Sequence, residues 1–202
     1  MGANHERPYR SGSGRRHRRR GYRVKVFFCI TWFQPLAHSA RQLHAWLSQH
    51  PEPVIHLVGY SLGGLVILHC LAEHGWTKAG RIVTVGTPHT NIAIARQLMR
   101  VPGGRWVVGQ GPVSALPLLP LDIPADREIG AIAGDQDWGV GALLALPHPN
   151  DTIISVDEAH HPSIPHRTLL PVSHTGMLFS NSVATEVDTF LREGQFTVSL
   201  PL

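Results

Sequence analysis

A serine stands where one apolar run stops and another begins. Ser61 is the centre of GYSLG at residues 59–63, which fits the pattern G-x-S-x-G. The preceding run, residues 54–58, predicts a strand, and residues 62–73 predict a helix. A serine at such a junction occupies a sharp, strained turn that exposes its hydroxyl, and the flanking glycines are expected to let strand and helix approach closely. The pattern therefore predicts a nucleophilic serine.

A serine hydroxyl becomes a good nucleophile only when a histidine accepts its proton and a carboxylate orients that histidine. In this arrangement the chain order is serine, acid, histidine. His174 directly follows the last predicted strand, residues 169–172, and is the predicted base. It is the one histidine that both follows the candidate acids and stands at such a strand end, whereas four others lie in Pro-rich loops: His148, His160, His161 and His166.

Three aspartates are candidates for the acid. Asp151 begins a segment between the last two predicted strands, and Asp135 and Asp137 follow the strand predicted at residues 128–133. Loop carboxylates are often solvated turn residues, so their positions leave the choice open. We favour Asp151, with Asp135 next.

The order of predicted elements indicates an α/β fold, a mostly parallel sheet with helices on both faces. The predicted strands are residues 22–30, 54–58, 81–85, 128–133 and 169–172. The predicted helices are residues 36–47, 62–73, 92–100 and 183–191. Residues 91–124, rich in Gly, Pro and Leu after residue 100, predict a covering excursion that is not part of the sheet.

Four motifs together resemble the lipase and esterase branch of the α/β-hydrolase family: GYSLGG, GTPH, PND before a β-branched run, and PVSHTGML. The resemblance spans roughly residues 21–192. It implies a catalytic triad of Ser61, His174 and Asp151, with Asp151 preferred to Asp135. The N–H of Leu62 is implied as one oxyanion donor.

The resemblance implies neither a cofactor nor a metal, and it makes the histidine of GTPH, His89, structural. Family members carry glycine and a valine-like residue after ND, whereas this chain has Thr152 and Ile153. They also carry one more strand, before the one that matches residues 22–30. That strand ends in a His-Gly turn, supplies the second oxyanion N–H, and lies between the strands that match residues 22–30 and 54–58.

Residues 1–20 contain no such strand or turn. The sequence is therefore expected to be an N-terminally truncated version of a longer hydrolase, with impaired activity. Either residues 22–30 close up against residues 54–58, or a gap stays open between them and the chain is unstable. Unpaired backbone groups at such a gap are costly when buried.

The charge distribution argues against a nucleic-acid-binding function. Residues 1–25 hold nine of the 18 Lys and Arg but one acid, so the remainder of the chain is about −4. We predict a basic flexible arm at residues 1–20 and a single hydrolase domain at residues 21–202, whose 43% hydrophobic composition supports a sizeable core. Without an aromatic platform beside the arm, no specific nucleic-acid partner is expected.

No apolar run is long enough for a membrane span, and no signal peptide is visible, so a cytoplasmic location is expected. The predicted function is a serine hydrolase of carboxylic esters acting on a small-molecule or lipid ester. The alternative is a catalytically impaired hydrolase remnant that acts as a non-enzymatic interaction protein. Substrate identity and oligomeric state stay open.

Overall fold

The computed structural model describes residues 21–75, 77–123, 126–139 and 146–200. The predicted basic arm, residues 1–20, lies outside the described residues. In the described ranges, no helix combines the length and the apolar character needed to cross a bilayer.

Within these ranges, four parallel strands form one sheet. They are β1 (Leu57–Tyr60), β2 (Ile82–Val85), β3 (Ile129–Gly134) and β4 (His166–Leu170), in the order β1-β2-β3-β4. Every residue of β2 and β3 is buried, as expected of central parallel strands that are covered on both faces. The predicted α/β fold with a parallel sheet is confirmed.

Helices connect and flank the strands. They are α1 (Leu36–Ser48), α2 (Leu62–His74), α3 (Ala93–Leu98), α4 (Gly104–Val108), α5 (Gln110–Ala115), α6 (Val156–Ala159) and α7 (Asn181–Glu193). Short 3₁₀ turns add Leu116–Leu118 and Thr175–Leu178. The excursion predicted at residues 91–124 thus contains α3, α4, α5 and the first of these turns.

The core has two layers, one on each face of the sheet. Successive strand residues point to opposite faces. Ile82 accordingly belongs to the cluster of α1 and α2, whereas Val83 packs with Val187 and Phe190 of α7. The predicted placement of helices on both faces follows directly from this alternation.

The strand predicted at residues 22–30 is wrong. In the described chain β1 is an edge strand that pairs with β2 alone, and residues 22–30 have no regular secondary structure. Strand propensity measures how well side chains fit a pleated sheet, so β-branched and aromatic residues do not form a strand without a neighbour. The segment is held instead by side chains: Phe27 packs on Trp46 with ring centroids 5.6 Å apart.

A large cavity of about 830 Å³ separates the 22–30 segment from β1. The N–H of Leu57 donates to the carbonyl of Arg81 (3.0 Å) and that of Ser61 to the carbonyl of Val85 (2.8 Å). Odd-numbered residues of β1 therefore face β2, and the backbone groups of Val58 face the cavity. Of the two arrangements expected for this region, the structure has the open gap, and the instability expected with it stays a prediction.

The last strand begins and ends earlier than predicted. Residues 169–172 were expected, but β4 spans His166–Leu170. Pro171 has no N–H to donate to a sheet, which explains the earlier end. The polar His166 and Arg167 are tolerated because β4 is an edge strand where both side chains are half-buried.

Candidate active site

Ser61 lies between the end of β1 and the start of α2. Its backbone has φ 52° and ψ −128°, a conformation that side-chain-bearing residues rarely adopt. The turn is held from both sides. The N–H of Ser61 donates to the carbonyl of Val85 (2.8 Å), and the hydroxyl of Thr87 donates to the carbonyl of Ser61 (2.9 Å). The strain expected of a nucleophilic serine is therefore present and fixed by β2 and the loop after it.

Of the two glycines in the motif, Gly59 has the role expected of it and Gly63 does not. A Cβ on Gly59 would lie 2.6 Å from the Cα of Gly64, and a Cβ on Gly64 would lie 2.1 Å from the hydroxyl oxygen of Thr87. A Cβ on Gly63 would meet nothing within 4 Å. The expectation that the second motif glycine permits close approach is wrong, because Gly64, one residue later, lies at the contact.

His174 is brought to the serine by the turn that follows β4. Its Nε2 lies 3.0 Å from Oγ of Ser61. The ring stacks at a tilt on Tyr60 with centroids 5.0 Å apart, and the hydroxyl of Tyr60 donates to the carbonyl of His174 (3.1 Å). Burial raises the pKa of Tyr60 to about 12, with the charge of Asp151 adding to it, so this hydroxyl stays a donor. Sequence reasoning missed Tyr60, which lies inside the motif beside the serine.

Asp151 fixes the other side of the imidazole. Its Oδ2 lies 2.7 Å from Nδ1 of His174, and its Oδ1 accepts from the N–H groups of Ile153 (3.0 Å) and Ile154 (2.7 Å). The N–H of His174 also donates to the carbonyl of Asp151 (2.7 Å). Because a carboxylate only accepts, Nδ1 carries the proton and Nε2 presents its lone pair to Ser61.

The rival acids lie elsewhere. Asp135 is exposed at the end of β3, and its backbone N–H donates to the carbonyl of Leu170 (3.3 Å). The carboxylate of Asp137 lies 3.9 Å from His148. Of the three candidate aspartates, Asp151 is the one whose carboxylate contacts His174 in the structure.

Asp151 is followed by a strained residue. Thr152 has φ 92°, where a β-branched side chain is a marked outlier, and this is the position at which the resembled family carries glycine. Its N–H donates to Oδ1 of Asn150 (2.9 Å), and its hydroxyl donates to the carbonyl of Gln136 (3.2 Å). The backbone strain at Thr152 therefore costs folding free energy, which the hydrogen bonds of the loop offset.

We predict that Thr152→Gly raises the free energy of unfolding by about 1 kcal/mol. Relief of a strained φ is worth roughly 1–3 kcal/mol, reduced by roughly 0.5–1 kcal/mol for the greater freedom of glycine in the unfolded chain. Urea unfolding followed by circular dichroism measures the free energy of unfolding of each protein. Thr152→Ala is the control, since it removes the hydroxyl but keeps the Cβ. Equal free energies of unfolding for Thr152→Gly and Thr152→Ala would refute the proposal that the backbone at Thr152 is strained.

His89 is buried next to the site and lies outside the Ser61–His174–Asp151 chain. Its Nδ1–H donates to the carbonyl of Ala159 (2.6 Å), and its Nε2 has no partner in the described chain. Burial lowers the pKa of His89 to about 4. Its contacts are those of a structural residue that ties the loop after β2 to α6.

This depressed pKa makes stability depend on pH. The unfolded histidine binds a proton near its ordinary pKa of about 6.5, whereas the folded one stays neutral down to about 4. Protonation therefore favours the unfolded chain, and stability is lost as pH falls from about 6.5 towards 4. We predict a loss of roughly 2 kcal/mol between about pH 7 and pH 5 from His89 alone. His89→Asn, whose amide N–H can replace Nδ1–H, should unfold in urea with a flatter pH dependence; an unchanged slope would contradict this.

The N–H of Leu62 is the group nearest in sequence that can serve an oxyanion. It begins α2, and the first N–H groups of a helix have no intrahelical acceptor. The large cavity reaches both Ser61 and Leu62. Among the described residues, no strand lies on the free side of β1 from which a second N–H would come. In the same ranges, no group of three His, Cys, Asp or Glu side chains is arranged to hold a metal ion.

The parallel sheet, the strained serine after β1 and the histidine after β4 define the α/β-hydrolase fold. The sequence matches no protein-family model and no curated protein. Solved structures do resemble it. The mature form of Bacillus licheniformis lipase BlEst2 aligns with TM-score 0.54 and 19% identity over 80% of this chain and 72% of that one.

Two further structures give the same result. The product of gene lin2722 from Listeria innocua aligns with TM-score 0.53 and 14% identity, over 82% of this chain and 70% of that one. The propeptide form of BlEst2 aligns with TM-score 0.57 and 17% identity over 83% of this chain. The alignment covers 40% of the propeptide form. These likenesses show the fold.

Proposed function

We propose that the protein is a serine hydrolase of carboxylic esters. The observation that carries the proposal is the continuous hydrogen-bonded chain from Ser61 Oγ to His174 Nε2 (3.0 Å) and from His174 Nδ1 to Asp151 Oδ2 (2.7 Å). This is the geometry in which a histidine accepts the proton of an attacking hydroxyl. In this proposal residues 21–202 are the hydrolase domain, and residues 91–124 cover the site.

The reaction has two halves. Oγ of Ser61 attacks the ester carbonyl carbon while its proton passes to Nε2 of His174, and the carbonyl electron pair moves onto oxygen. The N–H of Leu62 donates to that oxyanion. Collapse of the intermediate breaks the bond to the alcohol, whose oxygen takes the proton from His174. Water then repeats the attack on acyl-Ser61 and releases the acid. Asp151 keeps the imidazole oriented and stabilises its charged form.

Turnover is expected to be slow for an enzyme of this type. The proposal has one oxyanion donor among the described residues, the N–H of Leu62, and the missing second donor is expected to cost about two to three orders of magnitude in kcat. The test is hydrolysis of nitrophenyl butyrate by purified protein beside the Ser61→Ala variant. Equal rates for the two proteins would refute the proposal.

The second candidate is a hydrolase remnant that acts as an interaction protein. The open edge of β1 favours it, because unpaired strand edges accept an added strand. An intact fold with no Ser61-dependent turnover would support this alternative over the enzyme.

A further inference from the structure

A second, smaller cavity also opens at Ser61. Its volume is about 190 Å³, and it lies between the strained turn, the loop after β2, α3, α4 and the loop of Asp151. Its walls include Ile92, Ala95, Leu98, Val107 and Ile153. None of the side chains of these residues takes part in the proton-transfer chain. The cavity is therefore a feature that the proposed chemistry does not by itself explain.

The walls of the small cavity are apolar. Among the described residues that line it, Ser61 alone has a polar side chain. The large cavity is different, since the unpaired backbone of β1 and the charged side chains of Arg23 and Lys25 border it. Hydrocarbon is favoured in the small cavity, whereas a charged or hydroxylated group would be buried there without a partner.

Both cavities meet at Ser61 and Leu62. A carbonyl carbon at Oγ of Ser61 with its oxygen at the Leu62 N–H therefore borders both cavities. Its two substituents are the acyl chain and the alcohol oxygen. The dry cavity suits the acyl chain, and the larger one, bordered by polar groups, has room for the alcohol.

We propose that the small cavity is an acyl-binding pocket that selects unsubstituted hydrocarbon chains of about six to eight carbons. This inference rests on the proposed ester hydrolysis. The length follows from volume, because an apolar cavity of roughly 150 Å³ holds benzene, with six carbons, and this one is about a quarter larger. Longer chains must leave the cavity for water, so they gain nothing further.

The kinetic experiment is a series of nitrophenyl esters from acetyl to dodecanoyl, each below its micelle-forming concentration. The leaving group is constant, so the series reports acyl binding. We expect kcat/KM to rise about fourfold with each methylene up to hexanoyl or octanoyl, and then to level off or fall. Succinyl esters, which carry a charge at the chain end, should react no faster than acetyl esters.

A variant at the cavity rim tests the assignment of the pocket. Val107 lines the cavity, and its side chain is 55% exposed, so Val107→Trp fills space without disturbing the core. Val101, 54% exposed and outside the cavity wall, makes Val101→Trp the matched control. We expect Val107→Trp to lower the ratio of kcat/KM for the octanoyl ester to kcat/KM for the acetyl ester by at least about tenfold. Val101→Trp should not change this ratio.

Binding without turnover separates this inference from the proposed function. The Ser61→Ala protein is titrated with methyl acetate, methyl hexanoate, methyl octanoate and methyl dodecanoate, and binding is followed calorimetrically. The dissociation constant should fall about fourfold per methylene and then level off, and Val107→Trp should abolish the gain. Ser61-dependent hydrolysis with no length dependence in rate or binding overturns the pocket alone. Length-dependent binding without hydrolysis overturns the enzyme and keeps the pocket.

Discussion

Replacing Ser61 with alanine is expected to reduce ester hydrolysis by at least about four orders of magnitude, to the rate measured without protein. Removing the nucleophile of a serine triad leaves the catalysis supplied by binding and the oxyanion site. In the proposed mechanism that remainder is small, since the Leu62 N–H is the one oxyanion donor that the proposal has among the described residues. The measurement is the initial rate of nitrophenyl hexanoate hydrolysis at a series of protein concentrations.

The control for this variant is Ser163→Ala. Ser163 is exposed and follows α6, so the same loss of a hydroxyl occurs away from the site. Its rate should stay within about twofold of the parent protein. Alanine at residue 61 also removes no core contact, and circular dichroism should show an unchanged fold. A Ser61→Ala protein that retains the parent rate would exclude this serine as the nucleophile.

Asp151→Asn is expected to lower kcat by about three to four orders of magnitude with little change in KM. An asparagine amide N–H placed at Nδ1 of His174 favours the tautomer whose Nε2 carries the proton. That imidazole cannot accept the proton of Ser61. The fold should survive, because the amide oxygen can still accept from the N–H groups of Ile153 and Ile154.

Asp135→Asn is the matched control, since it makes the same chemical change at the rival acid. Asp135 is exposed, and its backbone rather than its carboxylate joins β4. We expect kcat within about twofold of the parent. Kinetics on nitrophenyl hexanoate for the two variants measured side by side decide between the aspartates. A large loss of kcat in Asp135→Asn, with normal kcat in Asp151→Asn, would identify Asp135 as the acid and contradict the role proposed for Asp151.

The central part of the fold was predictable because the strands and helices there are adjacent in the sequence and their burial shows in local apolar runs. A strand and a helix do flank Ser61, which has φ 52°, although β1 spans Leu57–Tyr60 and not the predicted residues 54–58. The buried runs of β2 and β3 were continuous in the sequence as well, as two-sided burial requires. Ser61 and His174 were predicted from their positions after strands, whereas position alone left the acid open and the family resemblance supported Asp151 over Asp135.

Features that depend on distant neighbours were not predictable in this way. Residues 22–30 have the composition of a strand but no partner on the described chain, so they form none. Gly64 rather than Gly63 lies at the strand-helix contact because Thr87, from the loop after β2, packs there. The apolar cavity at Ser61 is built from α3, α4 and the loop of Asp151, which are far apart in sequence.

Fluorophosphonate labelling tests the activation of Ser61 most directly. Attack of Oγ on phosphorus expels fluoride and needs His174 to take the hydroxyl proton, so it requires neither turnover nor a known substrate. We predict one label per chain, located by peptide mass spectrometry at Ser61 and absent from the His174→Ala protein. A folded parent protein that stays unlabelled, or labelling that persists without the imidazole, would contradict the proposed chemistry.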